Sequence, residues 1–416
     1  MGVSGTGDDA APRFQREHIG LILLLAVVVM FEGFDISATS VVLPYAGKEF
    51  GAAAAALGNA LAVIALGSIA AWGLLRLADR FGRRPLLLLS AAGFSVGSLV
   101  TMAAVDLQSY TAIQFVTRAL LVTQIAVAYL IVGETLPPAL RGRANGLLGA
   151  TGSFGAALPF LVIGPALDSG LGWRLLFLVG AAPLALMPLL LWKLRETPVW
   201  IAARSRGRLA ASSPLEELRR LVEPGRRKAF IAMGLLWLVI NFASSVSSLF
   251  FTLYVVNERG WPATDFARIA PFGLAGAFAG YLLAGWLSDL IGRRLTLSLF
   301  MAALGVLTIL CYSSTGWFAI AGAFVGLQAM LGVWVVAFTL NSELFPTDLR
   351  GAANGWCHSL VGRWGVVIAP VVLGALGTQL GSIGQAATLL GLSAWLAIPV
   401  VWLLVPETRG RTLHDA

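Results

Sequence analysis

Along most of this chain the apolar residues neither alternate nor recur with a helical period. They run on for about 20 residues at a time, and the polar residues collect in short stretches between the runs. A run of that length lets an α-helix cross the hydrocarbon of a bilayer. Twelve spanning helices are predicted, at about 19–44, 57–78, 85–105, 109–133, 145–167, 173–193, 229–256, 266–288, 295–314, 317–341, 353–377 and 384–405. In lipid a helix pairs its own backbone groups, so the predicted fold class is an all-α membrane protein.

Composition agrees with that pattern. Of the 416 residues 58% are hydrophobic and only 12% charged, too few charges to cover a soluble protein of this size. Residues 1–18 are polar and the first run lacks a small-residue cleavage pattern, so no cleavable signal peptide is expected. Lys and Arg sit mostly at the amino terminus and in alternate loops, among them Arg80, Arg83, Arg84, Arg141, Arg143, Arg293, Arg294 and Arg350. The other loops hold only Lys48, Arg174, Arg259 and Arg268. By the positive-inside rule both termini are expected in the cytoplasm, with the chain in the inner (plasma) membrane. The net charge of +8 follows from this bias and needs no nucleic-acid partner.

The chain also repeats itself at an offset near 210. Leu75–Arg84 (LRLADRFGRR) matches Gly285–Arg294 (GWLSDLIGRR), and Glu134–Gly146 (ETLPPALRGRANG) matches Glu343–Gly355 (ELFPTDLRGAANG), eight positions of thirteen being identical. Two six-helix halves are expected, residues 1–193 and 229–416, joined by a basic segment, 194–228. That segment reads either as short amphipathic helices on anionic lipid or as a solvated linker. Duplicated halves with a site at mid-depth between them are the architecture of many secondary transporters.

The repeated Asp-x-x-Gly-Arg-Arg, the Glu…Pro…Arg-Gly element after spans 4 and 10, and the Glu-Thr after spans 6 and 12 together resemble the major facilitator superfamily, over nearly the whole chain. One departure is Leu75, where the second half keeps Gly285 and the family has glycine; looser packing is expected there. Asp79, Arg83, Glu134, Arg141 and Glu196 in one half, and Asp289, Arg293, Glu343, Arg350 and Glu407 in the other, are expected to form acid–arginine pairs that bridge the halves as a cytoplasmic gate. The alternative is that they only fix topology and packing.

Four charged residues fall near the middle of the runs. Glu32 and Asp35 lie half-way along the first, three apart and hence on one helical face. A lone ionised acid there costs about 2.5–3.5 kcal/mol on insertion scales, so both need a charged partner or a wet cavity. Arg118 in span 4 and Arg363 in span 11 lie at similar depth. Counted on an α-helix, Gln114, Arg118 and Tyr129 share one face of span 4. Trp356, Ser359 and Arg363 share one face of span 11, and His358 points away from it. Asn241, Ser244, Ser245, Ser248 and Thr252 make a polar stripe on span 7, either cavity lining or interhelical glue.

Glu32-Gly-Phe-Asp-Ile is similar to the Asp-Gly-Phe/Tyr-Asp element of aromatic acid:proton symporters and to the Gly-Tyr-Asp of sugar porters, with Glu32 where the former have aspartate. The resemblance implies that Asp35, with Glu32, couples protons. Leu360–Gly365 (LVGRWG) looks like the Gly-Arg-aromatic-Gly element of the acid symporters, which sugar porters lack. Both families carry their span 4 arginine at the position held here by Gln114, one turn from Arg118. Substrate contacts are expected from Arg363, Arg118, Asn241, Gln114, Tyr129, Trp356 and Ser245. The function expected is proton-coupled uptake of a small organic acid anion, aromatic acids included. The alternatives are a sugar or polyol symporter and a proton-driven exporter of drugs or organic cations. The bland reading of the charges is a permanent Asp35–Arg118 pair with Arg363 bracing a backbone carbonyl. No nucleophile–base pair, metal-ligand cluster or phosphate loop stands out, so no enzyme, metal or cofactor is expected. The partners expected are the acid, the proton and the lipid, with a single chain as the working unit.

Overall fold

The computed structural model describes residues 15–136, 138–205, 213–346 and 349–408. All regular structure among them is helical, and twelve helices are long and apolar enough to cross a membrane. The predicted all-α fold of two six-helix bundles is found. Large apolar side chains such as Phe318, Trp192 and Leu403 are almost bare on the outside, as a surface facing lipid requires.

Several spans are not simple rods. Span 1 is one helix, Arg16–Glu49. Span 7 divides into Arg227–Ser248 and Phe251–Asn257, and span 10 into Trp317–Met330 and Val333–Leu344. Span 6 tightens into a 3₁₀ turn at Ala182–Leu186, and span 12 does so at Leu392–Leu396. The internal repeat thus extends to irregular backbone. Span 11 has a π-helical stretch, Gly355–Gly362, immediately before Arg363.

Span 1 crosses span 5 at backbone contact. A β-carbon on Gly33 would clash with the Gly152 carbonyl, and one on Gly155 with the Met30 carbonyl. Gly33 adjoins Glu32 and Gly152 faces its carboxylate, so this crossing fixes where the acids of span 1 stand. Gly155→Val is expected to cost about 1–3 kcal/mol through overpacking, read as a lower melting temperature in detergent. Gly164→Ala, where the added carbon meets open space, is expected to leave the melting temperature unchanged.

The halves meet along spans 2 and 11, 5 and 8, and 1 and 7. At the end away from the arginine-rich loops the contact is backbone to backbone. A β-carbon on Gly374 would lie 2.6 Å from the Ala54 carbonyl oxygen. Ala55 N donates to Thr378 Oγ1 (3.2 Å), and Ser40 Oγ donates to the Leu249 carbonyl (2.8 Å). Toward the arginine-rich end spans 2 and 11 touch through an edge-on ring pair, Trp72 and Trp356, 5.5 Å between centroids. Two short helices, Pro198–Ser205 and Pro214–Leu221, lie between the halves in sequence.

Candidate functional site

Asp35 turns toward span 4. Its Oδ2 lies 3.7 Å from Arg118 Nη2, and the carboxylate is 1% exposed. Arg118 Nη2 also donates to Thr39 Oγ1 (3.2 Å), whose hydroxyl donates to the Asp35 backbone carbonyl (2.9 Å). Neither carboxylate oxygen of Asp35 accepts a hydrogen bond among the described residues. A buried ionised carboxylate is ordinarily hydrogen-bonded as well as paired, so this contact holds Asp35 loosely. All these groups belong to the first half.

Glu32, one turn earlier, lies between the arginine of span 4 and that of the opposite half, with Arg118 the stronger influence of the two. It is half-buried and within electrostatic range of Arg118, of Asp35 and of Arg363 in the opposite half. Tyr129 of span 4 and Tyr281 of span 8 lie in the same field. The Arg363 side chain makes no hydrogen bond and no ion pair within 4 Å among the described residues. It therefore braces no described backbone carbonyl, and it stands apart from Asp35; the acid opposite it is Glu32.

The sequence around Arg363 explains its presentation. A β-carbon on Gly362 would press into Trp237 and to 3.1 Å from Asn241 Nδ2; one on Gly365 would lie 2.6 Å from the Phe242 backbone nitrogen. Glycine on both sides lets span 11 sink onto span 7, which leaves Trp364 facing outward, 45% exposed. Asn241 is buried in this crossing and donates from Nδ2 to the Trp237 carbonyl (2.9 Å).

Other expected contacts fall elsewhere. Gln114 is fully buried and donates to Thr101 Oγ1 of span 3 (2.9 Å), so it turns away from the seam. The α-helical count missed that rotation because it cannot tell which neighbour a face meets. Trp356 is half-buried against Trp72 at the seam. Ser245 is buried and makes no side-chain hydrogen bond among the described residues. His358, expected to point away, lies within range of Arg363, because the π-helical stretch changes the phase of span 11. Sequence reading also passed over Thr39, Trp72, Tyr281, Trp334 and Phe338. The aromatic ones are invisible by composition in a chain with 13 Trp and 22 Phe residues.

The arginine-rich layer is built twice over. Gly82 (φ 106°) and Gly292 (φ 96°) take a backbone conformation that only glycine adopts easily. Each starts a helix whose first backbone N–H groups a carboxylate accepts: Glu196 from Arg83 (3.0 Å) and Arg84 (3.1 Å), Glu407 from Arg293 (3.0 Å) and Arg294 (3.1 Å). An anion at a helix amino terminus is favoured by the backbone dipoles. Arg83 binds Glu134 (2.8 Å) and Arg293 binds Glu343 (2.9 Å), while Thr197 and Thr408 donate to those same acids. These described pairs join residues of one half, where pairs bridging the two were expected. The side chains of Asp79, Arg141, Asp289 and Arg350 lie outside the described residues. Gly285 meets open space where a β-carbon would stand, and Leu75 at the equivalent place packs partly buried against the core of its half.

Twelve membrane-spanning helices in two six-helix bundles are the architecture of a membrane carrier. The profile of the Major Facilitator Superfamily matches residues 25–356 and 270–415, and the chain belongs to that superfamily of transporters. It is 24% identical to the niacin transporter of Acinetobacter baylyi over 96% of both chains. It is 30% identical to the 3-(3-hydroxy-phenyl)propionate transporter of Escherichia coli over 89% of each. Among solved structures it resembles the inward-open xylose transporter of E. coli (TM-score 0.77, 18% identity, 95% and 98% of the two chains), a likeness of fold.

Proposed function

We propose that this chain takes up a small organic acid anion together with a proton, by alternating access between its two halves. The observation that carries the reading is Arg363, a guanidinium at mid-depth with no hydrogen bond or ion pair to the described protein. Guanidinium is always charged and its planar fork matches a carboxylate. The relatives named for niacin, gallate, cis,cis-muconate and 3-(3-hydroxy-phenyl)propionate favour an organic acid.

In this mechanism residues 1–193 and 229–416 are the moving bodies, the termini are cytoplasmic, and one chain is the working unit. A proton from outside neutralises Asp35 and loosens its contact with Arg118. The substrate carboxylate pairs with Arg363 and takes the place of Glu32 as the acid opposite it. With its charges matched the site crosses with both ligands, and proton and acid leave on the inner side. The ion pairs at the arginine-rich end hold each half rigid during that movement, and the Trp72–Trp356 contact is the inner closure.

The test is uptake into proteoliposomes containing the purified chain, with labelled benzoate-type acids, glucose and a quaternary amine in parallel. The expected result is acid accumulation when the outside is made acidic, collapsed by a protonophore, with no uptake of sugar or amine. Uptake of sugar or amine with the acids ignored overturns the reading. Acid uptake indifferent to the proton gradient removes the coupling.

A further inference from the structure

Three buried polar side chains of spans 7 and 11, near Arg363 in the fold, each leave one atom without a hydrogen-bond partner among the described residues. The imidazole Nε2 of His358, the indole Nε1 of Trp237 and the amide Oδ1 of Asn241 have no hydrogen-bond partner among the described residues. The three side chains are 7%, 0% and 1% exposed. Buried polar groups are nearly always paired, and each exception needs a reason. Here the exceptions are neighbours. The His358 ring meets Trp237 edge-on at 4.3 Å between centroids, and Asn241 stands one helical turn from Trp237, to whose carbonyl it donates.

The rest of the cluster is aromatic. Trp334 and Phe338, one turn apart on span 10, meet the His358 ring at 5.5 Å and 5.1 Å, and Phe338 is 39% exposed. The π-helical stretch Gly355–Gly362 brings this wall to the charged site. Hydrogen bonds from i to i+5 place residues 358 and 363 about one turn apart. An α-helix would put five residues about 140° apart. Aromatic rings packed edge-on, a cation and unsatisfied hydrogen-bonding atoms close to one another suit a ring ligand that carries a carboxylate and a second polar group.

We propose that His358, with Trp237 and Asn241, is the specificity end of the site. It takes a hydroxyl or ring nitrogen on an aromatic acid whose carboxylate is held by Arg363. This rests on the carboxylate reading above and narrows it to ring acids that carry a second hydrogen-bonding group. A site with unpaired buried atoms discriminates strongly against an analogue lacking the matching group, because that analogue leaves them unpaired.

The experiment measures competition by benzoate, 3-hydroxybenzoate, 4-hydroxybenzoate and nicotinate in proteoliposomes, for the wild type, His358→Phe and His358→Gln. Phenylalanine keeps a flat ring among the aromatics and removes the hydrogen bond; glutamine keeps a polar group. The wild type is expected to prefer at least one polar-ring acid over benzoate. His358→Phe is expected to shrink that preference by about tenfold or more, and His358→Gln to restore part of it. A preference ratio unchanged in His358→Phe, or absent from the wild type, overturns this inference and leaves the carboxylate reading standing. A wild type that recognises none of the four acids overturns both.

Discussion

Arg363→Ala is expected to lower acid uptake by roughly 30- to 4,000-fold. Truncating one member of a buried, hydrogen-bonded charge pair costs about 2–5 kcal/mol, and each 1.4 kcal/mol is about tenfold. The loss should come from binding and not from folding, because the Arg363 side chain makes no hydrogen bond or ion pair among the described residues. The variant's melting temperature without substrate should therefore match the wild type, while added substrate should no longer raise it. Arg363→Lys keeps the charge and loses the fork, so it should fall between the two. Uptake by Arg363→Ala at the wild-type rate would remove the anion site.

Asp35→Asn is expected to uncouple the carrier. For one proton moved with one acid anion, a difference of one pH unit supports about tenfold accumulation. The variant should accumulate nothing above equilibrium, yet should still exchange labelled for unlabelled acid, since its site is fixed in the neutral form. The substitution also leaves Arg118 without its counter-charge, and breaking a buried pair costs about 3–5 kcal/mol. Melting curves on the same preparation therefore belong with the transport data. Tenfold accumulation by Asp35→Asn would move the proton to another group, and Glu32, within electrostatic range of Arg118 and Arg363, is then the residue to neutralise next.

The doubled layer at the arginine-rich end bears on how such a carrier moves. Each half carries the same brace: glycine turn, carboxylate on a helix amino terminus, arginine on a second carboxylate. Residues that tie a half together let it move as one piece. The seam itself is closed at the far end by backbone contact at Gly374, and toward the arginine-rich end by two indole rings. Swinging a ring aside disturbs fewer atoms than parting two close-packed helices.

Much was legible from residues alone, because hydrocarbon is unforgiving of polar groups. It demands runs such as Ile19–Pro44, makes Glu32, Asp35, Arg118 and Arg363 conspicuous within them, and leaves the duplicated loop elements easy to align. The sequence also carried the glycines around Arg363, though not the helix they press against. Tertiary structure alone decided who meets whom. It paired Asp35 with Arg118, put Glu32 within range of both Arg118 and Arg363, turned Gln114 to span 3, and joined Arg83 to Glu134 and Arg293 to Glu343 within their own halves. The reason is rotational. Helical periodicity orders residues around an axis, but packing against neighbours sets where that ring points, and the π-helical stretch in span 11 carried His358 to the site from the face on which an α-helical count had put it.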